Sequence, residues 1–168
     1  MDANTLVSVE EYLRTSYPDA DREYVDGRIV ERNVGKVDHS DLQSSVLHYL
    51  RTRYKKRAWV GVAVRVRVKT TRVRIPDVTV VLGSKPSERI IRTPPLSAVE
   101  VLSPDDRAGA LEEKIDDYLA FGVQYVWVIN PDTHRAYSHT PNGSHETKDG
   151  MLRAESANIE IPLSEIFQ

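Results

Sequence analysis

Apolar and polar residues alternate along several stretches of the chain, which indicates β-strands. Between residues 60 and 68 a valine occupies every second position, and this pattern predicts one half-buried strand with a basic outer face. A further strand is predicted over residues 72–82 and another over residues 96–103. Residues 124–130 are almost all apolar, which is typical of a central strand that is covered on both faces.

Two longer stretches carry apolar residues at helical spacing. The first, residues 39–57, has a stripe made of Leu42, Val46, Tyr49, Leu50 and Tyr54. The second, residues 108–121, has a stripe made of Leu111, Ile115, Tyr118 and Leu119, and Gly122 follows it as a helix stop. Since this second helix lies between two predicted strands, we expect a βαβ unit with parallel strands and a right-handed crossover.

Shorter elements are predicted near both ends of the chain. Residues 7–17 are typical of a short helix with Ser8 as its N-cap, and Asp26-Gly27 between two strand-like runs is typical of a tight hairpin. Short apolar runs after residue 131 predict a trailing β meander with a final helical turn near residues 164–167. The pattern indicates an α/β (mixed α+β) fold, and the length suits a single domain over residues 1–168.

The composition excludes several classes of site. The 168 residues include no cysteine, so disulfides, thiolate zinc sites and cysteine nucleophiles are ruled out. No glycine-rich phosphate loop, zincin helix motif or Gly-x-Ser-x-Gly motif occurs. The first residues lack the basic and apolar regions of a signal peptide, and no apolar run approaches the length of a membrane span. We therefore expect a cytoplasmic protein without membrane contact.

Two acidic residues, Asp77 and Glu100, lie in predicted strands at positions where an apolar residue is expected. Alternation places Asp77 on the same strand face as Val73 and Ile75. A buried, unpaired carboxylate costs several kcal/mol, so each acid needs a partner, a proton or a cation. A shared Mg²⁺ or Mn²⁺ ion would serve both, because these ions prefer carboxylate oxygens. Neutralisation by arginines of the neighbouring strand is an equally good interpretation.

Other candidate residues accompany these two acids. Lys114 lies beside the apolar stripe of its helix and can extend along the helix flank. Glu23 begins the predicted hairpin and could reach a site, although a solvated edge glutamate is the favoured interpretation. Pro76 has no backbone N–H, so we expect a bulge or a sheet edge beside Asp77. His39 opens the first long helix, which precedes the basic strand.

Charge is distributed unevenly along the chain. Residues 51–76 contain ten bases and no acid, whereas residues 100–117 contain seven acids and two bases. A basic stretch that leads into an embedded acid is typical of a site that handles phosphate with the help of a metal. Taken alone, the same stretch is better explained as an exposed helix and sheet face covered by long basic side chains.

The motifs around both acids resemble those of the Uma2 family, a branch of the PD-(D/E)XK nuclease superfamily. Arg74-Ile75-Pro76-Asp77 is similar to its Pro-Asp motif, and Glu100-Val101-Leu102-Ser103-Pro104 is similar to its Glu-Val-x-Ser-Pro motif. Residues 23–27, His39, residues 114–118 and residues 122–127 follow in the expected order. The resemblance extends from about residue 7 to residue 131.

The resemblance implies a restriction-endonuclease-like fold, with a central mixed β-sheet flanked by helices, and metal-dependent cleavage of a phosphodiester. It also implies Asp77 and Glu100 as metal ligands and Glu23 as a further carboxylate ligand. The lysine expected two positions after the glutamate is Leu102 here, and Lys114 on the following helix takes its place in this branch. The aspartate that often lies one turn before that lysine is Ala110.

We therefore hold two hypotheses of different kinds. The first is a Mg²⁺- or Mn²⁺-dependent endonuclease that cuts DNA, in which Lys114 assists the attacking water. In this hypothesis the phosphates of the DNA substrate would bind to Arg65, Arg67, Lys69, Arg72, Arg74 and His39. The second is a non-catalytic module on the same fold that binds nucleic acid or forms homo-oligomers. We expect a homodimer, because cutting a duplex needs two sites and symmetric pairs are the commonest assembly.

Overall fold

The helices lie close to the positions that the apolar spacing predicts. The computed structural model describes residues 6–17, 22–33 and 35–167. Helix α1 spans Val9–Arg14, α2 spans Val37–Tyr54 and α3 spans Ala108–Phe121. Ser8 caps α1, as predicted, because its side chain accepts a hydrogen bond from the backbone N–H of Glu11 at 3.1 Å. None of the described helices combines the length and the apolar character that crossing a bilayer requires.

Three sheets are present in the described part of the chain. Strands β1 to β6 span Arg22–Val25, Arg28–Glu31, Ala58–Val62, Val66–Lys69, Arg72–Arg74 and Val78–Leu82. Strands β7 to β12 span Ser97–Val101, Tyr125–Asn130, Arg135–Thr140, Gly143–Glu146, Met151–Ala154 and Ile159–Pro162. The main sheet has six strands in the order β10-β9-β8-β7-β6-β3. A second sheet has four strands in the order β2-β1-β5-β4, and β11 pairs with β12.

The main sheet is mixed, because β7 and β8 run parallel while its other neighbouring strands run antiparallel. Helix α3 connects β7 to β8, which confirms the predicted βαβ unit with parallel strands. Gly122 ends α3 with a φ of 112°, a backbone angle that glycine adopts without strain. The C-terminal strands and a 3-10 turn at Leu163–Glu165 form the expected trailing β structure. The mixed fold predicted from the sequence is confirmed.

The main sheet lies between α2 and α3. One face shares a hydrophobic core with α2 and includes Val99 and Val101, while the opposite face shares a core with α3 and includes Ala98. Because side chains alternate along β7, Glu100 is on the α3 face, like Ala98. Burial of a large aliphatic side chain contributes about 1.5–3 kcal/mol, so these two cores fix the helices on the sheet.

Two predicted strands, residues 60–68 and 72–82, are each broken in two. Strands β3 and β4 are separated by a turn at Ala63, which has a φ of 50°. Strands β5 and β6 are separated by residues 75–77, and Pro76 has no N–H to continue a ladder. The chain leaves the main sheet after β3, forms β4 and β5 in the four-stranded sheet and returns in β6. The prediction of two continuous strands is therefore wrong. Valine-rich alternation occurs in strands of both sheets, so it does not show where the chain passes from one sheet to the other.

Asp77 therefore lies where the chain re-enters the main sheet, immediately before β6. The predicted strand face shared with Val73 is wrong, because Val73 belongs to β5 in the other sheet. The backbone N–H of Ala63 donates to the carbonyl of Asp77 at 3.4 Å. This hydrogen bond joins the point where the chain leaves the main sheet to the point where it returns.

Candidate functional site

Asp77 receives donors from three different segments. Its Oδ2 accepts a hydrogen bond from the backbone N–H of Val101 in β7 at 2.8 Å, and Nε2 of His39 in α2 lies 3.3 Å from the same oxygen. Arg32, which follows β2, donates from Nη2 to Oδ1 at 2.6 Å. Burial acts to raise the pKa of Asp77, but the hydrogen bond from His39 and the charge of Arg32 outweigh it and lower the pKa. The same hydrogen bond raises the pKa of His39.

Glu100 lies in β7, with its carboxylate toward α3. Tyr118 donates its hydroxyl to Oε1 at 2.6 Å, and Nζ of Lys114 lies 3.4 Å from Oε2. Burial raises the pKa of Glu100 to about 7, and the charges of Asp77 and Glu23 act in the same direction, while Lys114 opposes them. This carboxylate therefore gains more from a proton or an added cation than an ordinary glutamate does.

Glu23 in β1 provides the other carboxylate that contacts Lys114. Its side chain is buried and accepts hydrogen bonds from Nη1 of Arg74 and from the backbone N–H of Ile75, both at 3.0 Å. The favoured interpretation of Glu23 as a solvated edge residue is wrong, because β1 is an inner strand between β2 and β5. Glu23 thus comes from the four-stranded sheet and Glu100 from the main sheet, and both reach the same lysine.

Lys114 of α3 bridges these two carboxylates. Its Nζ lies 3.1 Å from Oε1 of Glu23 and 3.4 Å from Oε2 of Glu100. Burial acts to lower the pKa of Lys114, but the charges of Glu100 and Glu23 outweigh it and raise the pKa. The side chain is therefore an ammonium ion at neutral pH. It can donate hydrogen bonds and stabilise negative charge, but it cannot act as a base.

These side chains line a cleft of about 470 Å³, to which both of the larger sheets, α2 and α3 contribute residues. The acids in its lining are Glu23, Glu31, Asp77, Glu100, Asp105, Asp106 and Glu113, and the permanent cations are Arg32, Arg74, Arg107 and Lys114. Three of these acids also pair with cations outside the lining, because Glu31 binds Arg22, Asp105 binds Lys36 and Glu113 binds Arg72. Nearer the centre of the cleft, Glu23 and Glu100 share the ammonium of Lys114.

The donor set suits a Mg²⁺ or Mn²⁺ ion. Asp77 and Glu100 offer hard carboxylate oxygens, and Mg²⁺ is commonly held by one or two carboxylates together with water and phosphate oxygens. The burial of Glu100, which raises its pKa, favours a bound cation. Within residues 6–17, 22–33 and 35–167, no three His, Asp or Glu residues converge as a metal-binding group. The role of Glu23 as a third metal ligand therefore stays a prediction.

Three of the bases predicted to bind DNA converge on one acid, Asp117 of α3. Nζ of Lys69 lies 2.8 Å from its Oδ1, Nη2 of Arg74 lies 2.8 Å from its Oδ2, and Nη1 of Arg72 lies 3.1 Å from its Oδ1. Asp117 is 1 % exposed. Burial acts to raise the pKa of Asp117, but the hydrogen bonds from Lys69 and Arg74 outweigh it and lower the pKa. An internal acid therefore holds these three cations, although the side chain of Lys69 is 47 % exposed, and their contact with DNA stays a prediction.

Arg65 and Arg67 also have partners within the protein. The guanidinium of Arg65 lies 4.6 Å from the ring centroid of Tyr12 and donates to the carbonyl of Thr15 at 3.2 Å. Arg67 donates to the carbonyl of Thr70 at 2.8 Å. Of the six residues predicted to contact DNA, the cleft lining includes His39 and Arg74, and Arg74 is almost fully buried.

Sequence reasoning missed three residues that shape this region. Arg32 gives no local signal, because its partner Asp77 is 45 positions away. Helical spacing assigns Tyr118 to the buried stripe without revealing its hydrogen bond to Glu100. Asp117 lies beside Tyr118 and close to the buried side of α3. Acids are rarely buried unless they are paired, so an acid at this position could have revealed an internal ion pair.

Comparison with known proteins identifies the family and the fold. A family model described as "Uma2: Putative restriction endonuclease" matches residues 9–166. The crystal structure of "a putative nuclease belonging to DUF820 from Anabaena variabilis" is 20 % identical and superposes with a TM-score of 0.84. That comparison covers 96 % of this chain and 97 % of the other, and it shows a shared fold. A search of curated proteins found no match. Because the family model covers nearly the whole chain, the protein belongs to the Uma2 family.

Proposed function

We propose that the protein is a metal-dependent endonuclease that hydrolyses phosphodiester bonds of DNA. One observation carries the proposal. Asp77, immediately before β6, and Glu100, in the adjacent β7, both line one acidic cleft beside a protonated lysine. Membership of a family described as "Putative restriction endonuclease" makes DNA the expected substrate.

Asp77 and Glu100 are the proposed ligands of a Mg²⁺ or Mn²⁺ ion. Such an ion, when bound, supplies positive charge to a phosphate and lowers the pKa of a water molecule. The raised pKa of Glu100 supports this assignment, because a bound cation would stabilise the charged form of this buried carboxylate. Tyr118 supports it as well, since its hydroxyl fixes the orientation of the Glu100 carboxylate.

Lys114 is the proposed catalytic cation. Its ammonium is held between Glu23 and Glu100, where it can orient an attacking water and offset the negative charge that develops on the phosphate. Glu23 and Arg74 act as positioning residues, because Arg74 fixes the carboxylate that holds Lys114. His39 lines the same cleft, and its raised pKa favours the imidazolium form, which suits a phosphate contact.

The alternative, a non-catalytic module that binds nucleic acid, depends on an exposed basic face. The bases that would form such a face bind Asp117 or nearby carbonyl groups, which weakens this alternative. The homodimer stays a prediction, and light scattering after size-exclusion chromatography measures it directly.

The experiment that tests the proposal is cleavage of labelled single- and double-stranded DNA in Mg²⁺, in Mn²⁺ and in EDTA. Asp77→Asn and Glu100→Gln each remove a charge at nearly constant volume. We expect both variants to lose cleavage while circular dichroism shows a folded protein. Asp26→Asn is the matched control, because the carboxylate of Asp26 binds Arg72 and is not part of the cleft lining, so this variant should still cut.

Two results would contradict the proposal. The first is cleavage that continues in EDTA, and the second is equal cleavage by folded Asp77→Asn. Absence of cleavage together with salt-sensitive DNA binding that ignores Mg²⁺ would favour the binding module.

A further inference from the structure

Arg32 binds the carboxylate that the proposed metal ion would need. Its Nη2 lies 2.6 Å from Oδ1 of Asp77, a shorter contact than those made by Val101 and His39 to Oδ2. Both oxygens of Asp77 therefore already have donors. A cation that binds Asp77 must compete with at least one of them.

The two partners in this ion pair differ in their freedom to move. Asp77 is fixed by its backbone, because its carbonyl accepts hydrogen bonds from Nε2 of Gln43 at 3.0 Å and from the backbone N–H of Ala63. Arg32 lies outside any helix or strand, directly after β2, and its side chain is 20 % exposed at the cleft. The guanidinium can therefore swing away on its long stem, whereas the carboxylate stays in place.

Charge explains why the guanidinium stays at this position. Burial acts against the charged form of Arg32, but the carboxylates of Asp77, Glu100 and Glu23 outweigh it and raise the pKa. The acids of the cleft thus hold Arg32 as a permanent positive charge. A divalent cation at Asp77 would satisfy the same acids, so the two are alternatives for one position.

We propose that Arg32 is a tethered cation that competes with the metal ion for Asp77, so that metal binding requires the guanidinium to leave Oδ1. The inference rests on the proposed function, because it concerns the same site. In this arrangement Arg32 lowers the metal affinity below the value that the carboxylates alone would give.

Titration with Mn²⁺ alone, followed by the electron paramagnetic resonance of the free ion, tests the inference without relying on cleavage. Arg32→Leu should bind Mn²⁺ at least about tenfold more tightly than the parent protein, because the competing charged hydrogen bond is gone. Arg32→Lys keeps a shorter cation and should fall between them. Arg135→Leu is the matched control, since Arg135 pairs with Glu146 and neither residue is part of the cleft lining, and its affinity should stay within about twofold.

Two further readouts connect any gain to Asp77. Adding Asp77→Asn to Arg32→Leu should abolish the gain in Mn²⁺ affinity. In EDTA, Arg32→Leu should melt at a lower temperature than the parent, because Asp77 has lost its partner, and saturating Mn²⁺ should raise its melting temperature more than that of the parent.

The inference is overturned if folded Arg32→Leu, or folded Arg32→Lys where the leucine variant does not fold, binds Mn²⁺ no more tightly than the parent. Cleavage assays on the same samples separate this failure from failure of the proposed function. DNA cleavage by the parent, with unchanged Mn²⁺ affinity in the variants, overturns the role of Arg32 and leaves the nuclease standing. Tighter Mn²⁺ binding by Arg32→Leu in a protein that cuts no DNA supports the role of Arg32 and counts against the nuclease.

Discussion

Glu100 and Asp117 are both almost fully buried carboxylates, yet the charges around them are balanced in opposite ways. Three cations converge on Asp117, and its pKa is lowered. Glu100 shares the single ammonium of Lys114 with Glu23, and burial raises its pKa to about 7. The two environments are close together, because Asp117 is next to Tyr118, which binds Glu100.

This difference separates an acid that holds the fold together from one that can accept a further cation. Asp117 ties Lys69 of β4 and the arginines of β5 to α3, and its charge is fully matched. Glu100 lies where one ammonium, that of Lys114, serves two carboxylates. Burying a poorly matched charge costs stability, and such groups cluster at functional sites.

The largest effect is expected from Asp117→Ala. The change removes the anion that three cations share, including the buried Arg74, and breaking a buried ion pair costs about 3–5 kcal/mol of unfolding free energy. Urea denaturation measures this loss. Asp116→Ala is the control, because Asp116 is the exposed neighbour on the same helix. A loss no larger than that of the control would break the comparison, since Asp117 would then not be a structural anion.

Glu100→Gln is expected to raise the free energy of unfolding at neutral pH, whereas Asp117→Ala lowers it. The pKa of Glu100 in the folded protein, about 7, lies above the ordinary value of 4.5. The folded state therefore binds more protons than the unfolded state between these values, and stability falls as the pH rises from about 4.5 to about 7. Above about pH 7 the carboxylate of Glu100 is charged, and this charge lowers the free energy of unfolding by about 3 kcal/mol. The glutamine variant has no charge at this position and avoids the loss.

Urea denaturation in EDTA across this pH range measures the effect. The parent should lose stability toward neutral pH, and Glu100→Gln should lack that part of the loss. If the two proteins show the same pH profile, Glu100 is as well matched as Asp117, and the contrast between them disappears.

Cleavage activity offers a further test of the difference between Glu100 and Asp117. Lys114→Met removes a cation beside Glu100, and Lys69→Met removes a cation beside Asp117. Loss of a group that stabilises the transition state lowers a rate by about a hundredfold, which corresponds to about 2.7 kcal/mol. In Lys114→Met we expect the rate of metal-dependent DNA cleavage to fall by about a hundredfold. In Lys69→Met we expect cleavage at nearly the parental rate. Comparable losses in both variants would mean that the assay reports on folding rather than on the site.

The smallest effect is expected from Tyr118→Phe, which removes the hydroxyl donor to Glu100. A hydrogen bond to a charged group contributes about 1.5 kcal/mol, and this contribution should appear above about pH 7, where Glu100 is charged. Tyr54→Phe is the control, because Tyr54 donates to a backbone carbonyl, and its effect should not vary with pH. Denaturation at two pH values distinguishes them, and a pH-independent loss in Tyr118→Phe would argue against a charged Glu100.

Local patterns predict the parts of the fold that local forces determine. Helical spacing gives α3 and its end at Gly122. The hairpin at Asp26-Gly27 follows from two residues that tolerate positive φ, and their angles are 49° and 91°. The out-of-place acids Asp77 and Glu100 also stand out in the sequence, although their catalytic and metal-binding roles stay predictions. The single domain over residues 1–168 stays a prediction as well.

Long-range pairing determines the rest, and no local pattern reveals it. Arg32 and Asp77 are 45 positions apart, and Arg74 and Asp117 are 43 positions apart. The burial of Glu23 depends on which strands flank β1, and valine alternation does not say where the chain changes sheets. Charge counts along the sequence therefore indicated a basic face, whereas three of those bases bind one buried acid.

The passage of the chain from Ala63 to Asp77 is an excursion out of the main sheet. The hydrogen bond between these two residues closes its base, and Arg74, which lines the cleft, lies within it. The excursion is anchored on both sides, because β5 pairs with β1 and Asp117 of α3 binds Lys69, Arg72 and Arg74. A change in the length or charge of this hairpin would therefore alter the cleft wall and the seating of α3 together.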